Sequence, residues 1–115
     1  MKGTKAYVSG PMTGLAFFNY PVFDAMAETL ENLGVIPINP ARHPEGLEYE
    51  EYMELAMIDV EDCDWVCLLP GWERSPGAIR EAKRGQELGK VLMECMVSKT
   101  IAFNHIPVDR KLEHV

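Results

Sequence analysis

The chain has 115 residues, 47% of them hydrophobic, which is enough to build one core but hardly two, so we expect a single domain over residues 1–115. Charged residues make up 25% of the chain, and it shows neither the run of about 20 apolar residues that a membrane helix needs nor the basic-then-apolar layout of a signal peptide. These features predict a soluble, cytoplasmic protein with no membrane partner. A net charge of -7 disfavours a nucleic-acid polymer as partner but still allows a small phosphorylated ligand.

The cysteines and histidines indicate neither a disulfide framework nor a metal centre. Cys63, Cys67 and Cys95 are odd in number, and no pair of them recurs with histidines at zinc-finger spacing. We therefore expect three reduced, mostly buried thiols, with no metal and no cofactor. The three histidines show no ligand spacing and carry no prediction.

The N-terminal part of the chain predicts a strand, a loop and a helix. Residues 6–9 form a short β-prone stretch that runs into the turn-rich segment 10–14, where glycines let the backbone come close to a ligand. Pro21 suits the first position of a helix, apolar residues then recur at helical spacing, and Gly34 supplies a stop signal.

The middle of the chain predicts a second strand, a second helix and a central strand. Residues 35–38 are the strand, and residues 40–47, with two prolines and a glycine, are a long loop. The second helix is expected from about Tyr49. Residues 65–69 are a continuous apolar run, typical of a parallel strand covered on both faces, and residues 70–77 after it are a loop punctuated by prolines and glycines.

The C-terminal part predicts a third helix followed by strands. Ser75 is a good N-cap and Pro76 a good first helical residue, so this helix should run to about Leu88 and stop at Gly89. The remaining predicted elements are a fourth strand over residues 91–93, a fifth strand over residues 100–103 and a polar, frayed tail over residues 109–115.

The alternation of strands and helices predicts the fold class. It favours a single-domain, flavodoxin-like (Rossmann-like) three-layer α/β sandwich with a four- to five-stranded parallel sheet and right-handed crossovers. In such sheets ligands bind beyond the carboxyl ends of the strands, near the point where the strand order switches. The loops after the first and third strands, residues 10–14 and 71–77, are therefore the candidate binding loops.

Glu81 is a carboxylate that the predicted third helix points toward the interior. At 100° per residue it shares a face with Ala78, Gly85 and Leu88. An unpaired charge is costly in such a place. One interpretation is a local cap or ion pair, stabilised by the positive end of its own helix. The other is a carboxylate nucleophile at the mouth of a pocket beside the preceding loop, as a glycosidase needs.

Two further residues near the predicted site each have two interpretations. Asp59 lies at the edge of the apolar face of the second helix, whereas Asp62 points away, so Asp59 is either a second functional carboxylate or a solvated helix-edge acid. Trp72 lies in the loop after the third strand, where its indole either stacks on a base or packs against the helix beneath it or a neighbouring subunit.

Three segments of the chain resemble a known enzyme group. Residues 7–14 (YVSGPMTG), 69–73 (LPGWE) and 75–81 (SPGAIRE) look like the nucleoside 2-deoxyribosyltransferase superfamily. The similarity is to a small branch common in phage and bacterial genomes, related to the 2'-deoxynucleoside 5'-phosphate N-hydrolases. It spans roughly residues 5–93, and its most specific part is the Ser-x-Gly-x-x-x-Glu element after a hydrophobic strand.

The resemblance implies an N-glycosidase or deoxyribosyltransferase that cleaves the base–sugar bond of a 2'-deoxynucleoside or its 5'-monophosphate. Glu81 would attack the anomeric carbon, and Tyr7 would orient its carboxylate. Asp59 would donate a proton to the departing base, although a short interval before the central strand leaves Asp59, Glu61 and Asp62 open as the second acid. Two carboxyl groups about 5 Å apart would divide one displacement into two.

The resemblance also implies where the substrate binds. Ser75 and the amide of Gly77 would hold a 5'-phosphate or 5'-hydroxyl at the helix N-terminus. In the first loop this chain has Pro11 where the N-hydrolases carry a phosphate-binding serine. The candidate substrate-binding residues are Ser9, Gly10, Met12, Gly14, Gly71, Trp72, Ser75 and Gly77.

The implied partners are a small nucleoside or nucleotide and further copies of the chain. Relatives complete their pockets with residues from a neighbouring subunit, so we expect a homo-oligomer, and the family chemistry uses neither a metal nor a cofactor. The alternative from another functional class is a nucleotide-binding module that has lost catalysis and serves as a sensor or a sequestering protein.

Overall fold

A five-stranded sheet separates one helix from two others. The computed structural model describes residues 3–97 and 101–112. The strands are β1 (Lys5–Ser9), β2 (Ile36–Ile38), β3 (Trp65–Leu68), β4 (Val91–Val97) and β5 (Ile101–Ile106). The helices are α1 (Tyr20–Asn32), α2 (Tyr49–Asp62) and α3 (Pro76–Glu87). Helix α1 packs on one face of the sheet, and α2 and α3 pack on the other. The predicted flavodoxin-like sandwich is confirmed.

The strand order is β2-β1-β3-β4-β5, and the first four strands are parallel. Strand β5 runs antiparallel to β4, with Leu92 opposite Ile106, which corrects the expectation of a wholly parallel sheet. Only residues 98–100 separate the two strands, and so short a connection cannot make the crossover that parallel neighbours need. The predicted fifth strand began at Thr100, which lies outside the described residues, and β4 runs further than predicted.

The two faces of the sheet carry separate cores because side chains alternate along each strand. On β1, Ala6 and Val8 pack toward α1, whereas Tyr7 packs toward α2 and α3. Residues 66–69 are buried throughout, as expected for a central strand covered on both faces. The three cysteines are buried, as predicted.

The predicted helix ends match the structure closely. Helix α3 begins at Pro76 after the N-cap Ser75, whose hydroxyl oxygen accepts a hydrogen bond from the amide of Ala78 at 3.3 Å. Helix α1 carries Pro21 in its first turn and is followed by Gly34 at φ 83°. Helix α2 starts at Tyr49 as predicted. Within the described ranges, no helix combines the length and apolar character needed to cross a membrane.

The chain after β5 is held against the domain, so the predicted fraying from residue 109 is wrong as far as Leu112. Leu112 is 1% exposed and packs in the core beneath α2 and α3. Arg110 forms an ion pair with Glu94 at 2.8 Å, and its carbonyl accepts a hydrogen bond from Gln86. Residues 113–115 of the predicted tail lie outside the described residues.

Candidate active site

The two predicted binding loops meet where the strand order switches between β1 and β3. The amide of Leu69 donates to the carbonyl of Ser9 at 2.8 Å. A Cβ added at Gly10 would lie 2.7 Å from the Cβ of Leu69, so only glycine permits this approach. Gly71 has φ 87°, and a Cβ there would lie 3.3 Å from the ring of Pro11. The loops therefore form one continuous surface at the carboxyl edge of the sheet.

Glu81 points from α3 toward the end of β1, and both its oxygens accept hydrogen bonds from that strand. Tyr7 Oη donates to Glu81 Oε2 at 2.8 Å, and Ser9 Oγ donates to Oε1 at 2.6 Å. Tyr7 and Ser9 are two positions apart, so both side chains leave the same face of β1. Glu81 is 3% exposed. The predicted contact between Tyr7 and Glu81 is present, and the partners of the carboxylate lie on β1 rather than on its own helix.

Ser9 has a different position from the one predicted. It was expected to bind substrate, but its side chain is fully buried and its hydroxyl proton is donated to Glu81. Its sequence position, two residues after Tyr7, predicts that both side chains face the same side of the sheet, because alternate residues of a strand do so. Ser9 therefore belongs with the groups that hold the carboxylate.

Burial dominates the electrostatics of the carboxylate. It raises the pKa of Glu81 to about 7, against the opposing effect of the hydrogen bonds from Ser9 and Tyr7. The negative charge of Asp59 raises the pKa of Glu81 further. Burial and the nearby charge of Glu81 also hold the pKa of Tyr7 well above its usual range, so the phenol remains a hydrogen-bond donor. Glu81 is thus a carboxylate that ionises near neutrality beside two fixed donors.

Asp59 is the acid of α2 that lies on the side of Glu81. Its Oδ2 is 2.7 Å from Nε2 of His43, and both side chains are about one-fifth exposed, at 22% for Asp59 and 19% for His43. Its charge also acts on Tyr7 and Tyr52, in each case raising the pKa of the phenol. Asp59 is therefore a paired, half-buried carboxylate rather than a solvated one.

The other two candidate acids face away from Glu81. Glu61 pairs with Arg84 at 3.4 Å, with 54% of its side chain exposed. Asp62 pairs with Lys5 at 3.0 Å, with 61% of its side chain exposed. Surface pairs of this kind are held in water and contribute little energy. The geometry thus favours Asp59 among the three.

His43 and Tyr52 join the site without having been predicted there. The ring of Tyr52 meets that of His43 edge-on, with centroids 5.8 Å apart, and its hydroxyl lies 3.6 Å from the sulfur of Met12 in the first loop. Burial and the charge of Glu81 raise the pKa of Tyr52. No spacing could indicate His43, since its partner Asp59 lies 16 residues away across an irregular loop.

Trp72 lies in the core, which contradicts its prediction as a substrate-binding residue. Its side chain is 1% exposed and packs on the side of α2 and α3, and its indole N–H donates to Glu94 at 3.2 Å. Gly71 turns the chain inward at φ 87° just before a short 3₁₀ turn that begins with Trp72. In this structure the indole packs in the core and is not exposed for stacking on a base.

The remaining predicted residues lie around the two loops. Met12 is half-buried beside Tyr52, and Gly14 is exposed with φ 81°. Gly77, in the first turn of α3, faces α2, since a Cβ there would lie 3.4 Å from the sulfur of Met53. Ser75 caps α3 directly before this turn.

Two clefts lie beside the site rather than over it. One, of about 480 Å³, is lined by Asp59 and His43 together with Asn39 and Arg42. The other, of about 230 Å³, lies against Trp72 and Glu94, beside the end of β3 and the second half of β4. Glu81 lines neither of these clefts. The carboxylate of Glu81 is thus set apart from both clefts in this structure.

Comparison with known proteins places the chain in a family and supports its fold. Residues 4–94 match the family described as Domain of unknown function (DUF4406), and the chain belongs to that family. No curated protein matches it in sequence.

Two solved structures share the fold. The "2-desoxiribosyltransferase from Leishmania mexicana" superposes with a TM-score of 0.65 at 17% identity, over 79% of this chain and 63% of that chain. The Clostridium botulinum CMP N-glycosidase BcmB superposes with a TM-score of 0.59 at 16% identity, over 79% of this chain and 67% of that chain. The chain thus spans less than two-thirds of the Leishmania enzyme, and the predicted relationship to the nucleoside 2-deoxyribosyltransferase superfamily holds at the level of the fold.

Proposed function

We propose that this member of the DUF4406 family is an N-glycosidase or deoxyribosyltransferase that cleaves the base–sugar bond of a 2'-deoxynucleoside or its 5'-monophosphate. The observation that carries the proposal is Glu81, a buried carboxylate whose two oxygens are both held by hydroxyl groups of β1. It lies at the switch point of the sheet, where ligands of such folds bind. The two structures of similar fold are described as a 2-desoxiribosyltransferase and a CMP N-glycosidase, which supports the same class of reaction.

In the proposed first step, ionised Glu81 attacks the anomeric carbon and forms a glycosyl ester. The carbon–nitrogen bond breaks, its electron pair passes to the base, and Asp59 donates a proton to the departing nitrogen. In the second step, water attacks the same carbon, Asp59 takes a proton from it, and Glu81 leaves as a carboxylate. If an acceptor base replaces water, the same steps transfer the sugar, and configuration is retained in both cases.

Tyr7 and Ser9 are the proposed positioning groups for this nucleophile. Two donors at 2.8 Å and 2.6 Å fix the plane of the carboxylate, so it loses little further conformational freedom when it attacks. Both bonds also favour the charged form and lower the pKa of Glu81, which burial alone would push higher. Burial and the two hydrogen bonds therefore have opposite effects on the ionisation of Glu81.

The substrate is proposed to lie between the two loops, with its 5' end at the N-terminus of α3. The amide of Gly77 and the hydroxyl of Ser75 are the donors available there. Gly10 and Gly71 let the two loops pack together beside this place, since an added Cβ would meet Leu69 at Gly10 and Pro11 at Gly71. Pro11 has no hydroxyl to offer, so an intact phosphate group would rely on the α3 end of the site.

A homo-oligomer is also part of the proposal. The segment before α1 exposes Phe17 and Phe18 at 79% and 60%, and both residues have positive φ angles, near 50°. Bulky residues hold such angles only when other interactions compensate. A neighbouring copy that covers this segment would supply these compensating interactions. Sedimentation analysis that compares the wild type with the double variant Phe17→Ser/Phe18→Ser tests the proposed oligomer. A monomeric wild type would contradict it.

The test of the activity is direct detection of free base. Purified protein is incubated with deoxynucleosides, their 5'-monophosphates and the ribo counterparts, with and without an acceptor base, and products are separated by chromatography. We expect release from at least one substrate by the wild type and by Glu87→Gln, a matched change at an exposed position of the same helix. Glu81→Gln should release none. An active Glu81→Gln protein would remove the nucleophile assignment.

A binding module without turnover is the second candidate, and one observation favours it. Glu81 is 3% exposed and lines neither cleft, as a site that binds a nucleotide without attacking it would show. Such a module would be stabilised against heat by a nucleotide while releasing no base. Measuring the melting temperature and the product in the same samples separates the two candidates.

A further inference from the structure

We propose that His43 acts through Asp59 as a positioning residue of the same reaction, sharing one proton with it and supplying that proton for the departing base. The inference rests on the proposed function, since it deepens the role of the acid in that scheme. It starts from the contact between His43 Nε2 and Asp59 Oδ2 at 2.7 Å. At that distance the ring nitrogen and the carboxyl share a hydrogen bond, in which either group can hold the proton.

The imidazole is held in place by its surroundings. Its ring meets Tyr52 edge-on at 5.8 Å, and its backbone amide donates to the carbonyl of Pro40 at 3.0 Å. The short turn that carries it is capped by Asn39, whose side chain accepts from the amide of Ala41 at 3.0 Å. An exposed ion pair between mobile side chains would contribute little free energy. This pair is fixed and half-buried.

Charged and titratable groups from several elements lie around the pair. Tyr52 comes from α2, Glu31 comes from α1, and Arg42 precedes His43 in its own loop. The charge of Asp59 also acts on Tyr7 of β1 and on Glu81 of α3. The cleft of about 480 Å³ that Glu31 and Arg42 help to line is open to solvent and does not include Glu81. The pair can therefore regain a proton from the cleft without opening the buried carboxylate to water.

The chemistry requires one carboxyl group to be ionised while the other still holds a proton. Burial raises the pKa of Glu81 to about 7, so the nucleophile is charged only near and above neutrality. The imidazole 2.7 Å from Asp59 gives the acid a second group that can hold the proton it has to donate.

The proton balance of the proposed step is simple. Before cleavage the pair holds one exchangeable proton, on His43 Nε2 or on the Asp59 carboxyl. As the carbon–nitrogen bond breaks and the bond to Glu81 forms, this proton passes from the carboxyl to the departing nitrogen. His43 is then neutral and Asp59 ionised. Water later gives one proton back to the pair while its hydroxyl joins the sugar and Glu81 is released.

The experiment compares His43→Gln with His105→Gln, an exposed histidine of β5 that serves as the matched control. Glutamine keeps a hydrogen-bond donor for Asp59 but holds no exchangeable proton. We expect kcat/KM of His43→Gln to fall on the alkaline side at least about one pH unit earlier than that of the wild type, with about a tenfold loss near pH 8. His105→Gln should follow the wild type. Superimposed profiles for His43→Gln and the wild type would overturn the inference.

A second substrate separates this inference from the proposed function. A 2-deoxyribosyl fluoride has a leaving group that needs no proton. On it, His43→Gln should match the wild type at every pH, while Glu81→Gln stays inactive. A His43→Gln protein that is slow on both substrates would show a merely structural role and overturn the inference alone. Activity of Glu81→Gln, or no turnover by the wild type, would overturn the proposed function and the inference with it.

Discussion

Ser9 Oγ lies 2.6 Å from Oε1 of Glu81, so a strand residue and a helix residue 72 positions apart in sequence share a buried hydrogen bond. Together with the bond from Tyr7, it gives the carboxylate two hydroxyl donors, and within residues 3–97 and 101–112 no cation is hydrogen-bonded to it. A buried carboxylate with only neutral donors ionises less readily than one paired with arginine. The state of Glu81 at a given pH therefore depends on these two hydroxyl groups.

Removing either hydroxyl should raise the pH at which the nucleophile becomes active. Each bond stabilises the charged form and lowers the pKa of Glu81, so Ser9→Ala and Tyr7→Phe should each raise that pKa above its value of about 7. A hydrogen bond to a charged group contributes about 1.5 kcal/mol or more, equivalent to about one pH unit. The acid limb of kcat/KM should move upward by that amount. Thr29→Ala, which changes an exposed hydroxyl on α1, should leave the limb unchanged.

The same carboxylate should make the folded protein less stable as the pH rises. Its pKa is raised from 4.5 to about 7 on folding, so its stabilising contribution is complete below about pH 4.5 and is lost as the pH passes through about 7. Glu81→Gln removes this loss, and should be more stable than the wild type above pH 7 by up to about 3 kcal/mol. Below pH 4.5 the two proteins should converge.

Urea unfolding at about pH 8 and about pH 4 measures this difference. Glu87→Gln is the control, because Glu87 is exposed on the same helix and pairs only loosely with Arg84 at 3.5 Å. A Glu81→Gln protein with the stability of the wild type at both pH values would mean that burial of the charge costs nothing.

Sequence reasoning found the elements whose signals are local. Helix α3 was predicted within one or two residues because Ser75 and Pro76 mark its start. Glu81 stood out because a carboxylate on an apolar face breaks the helical pattern. The direction of β5 was missed, since a strand pattern carries no information on its pairing. The direction of a strand depends on the length of the connection before it. That length was known only once the structure had shown where β4 ends and β5 begins.

The site was predicted only in part, because only some of its residues have a local signal in the sequence. The resemblance supplied Tyr7, and alternation along β1 could have supplied the position of Ser9 beside it. The pair of His43 and Asp59 depends on the path of the loop over residues 40–47, which no periodicity describes. Trp72 was misplaced because the sequence does not say which way a loop turns after Gly71.

The contact between the two loops should be intolerant of even one added methyl group. In Gly10→Ala the new Cβ would lie 2.7 Å from the Cβ of Leu69, which is a backbone-anchored atom that cannot rotate away. Overpacking of this kind costs about 1–3 kcal/mol. Thermal unfolding should show a lower melting temperature, and Leu69→Ala should not rescue it, because alanine retains the clashing Cβ. Recovery of the melting temperature by Leu69→Ala would show that the clash involves the outer atoms of the Leu69 side chain instead.

Gly77→Ala should separate binding at the N-terminus of α3 from stability. The added methyl group would lie 3.4 Å from the sulfur of Met53, an ordinary contact, and alanine is a better helix former than glycine by about 1 kcal/mol. The melting temperature should therefore stay the same or rise. If the amide of Gly77 holds the 5' end of the substrate, a methyl group on this residue should disturb that contact, and kcat/KM should fall several-fold more for a 5'-monophosphate than for the corresponding nucleoside. Equal loss for both substrates would argue that the phosphate binds elsewhere, and an unchanged kcat/KM for both would remove Gly77 from the binding site.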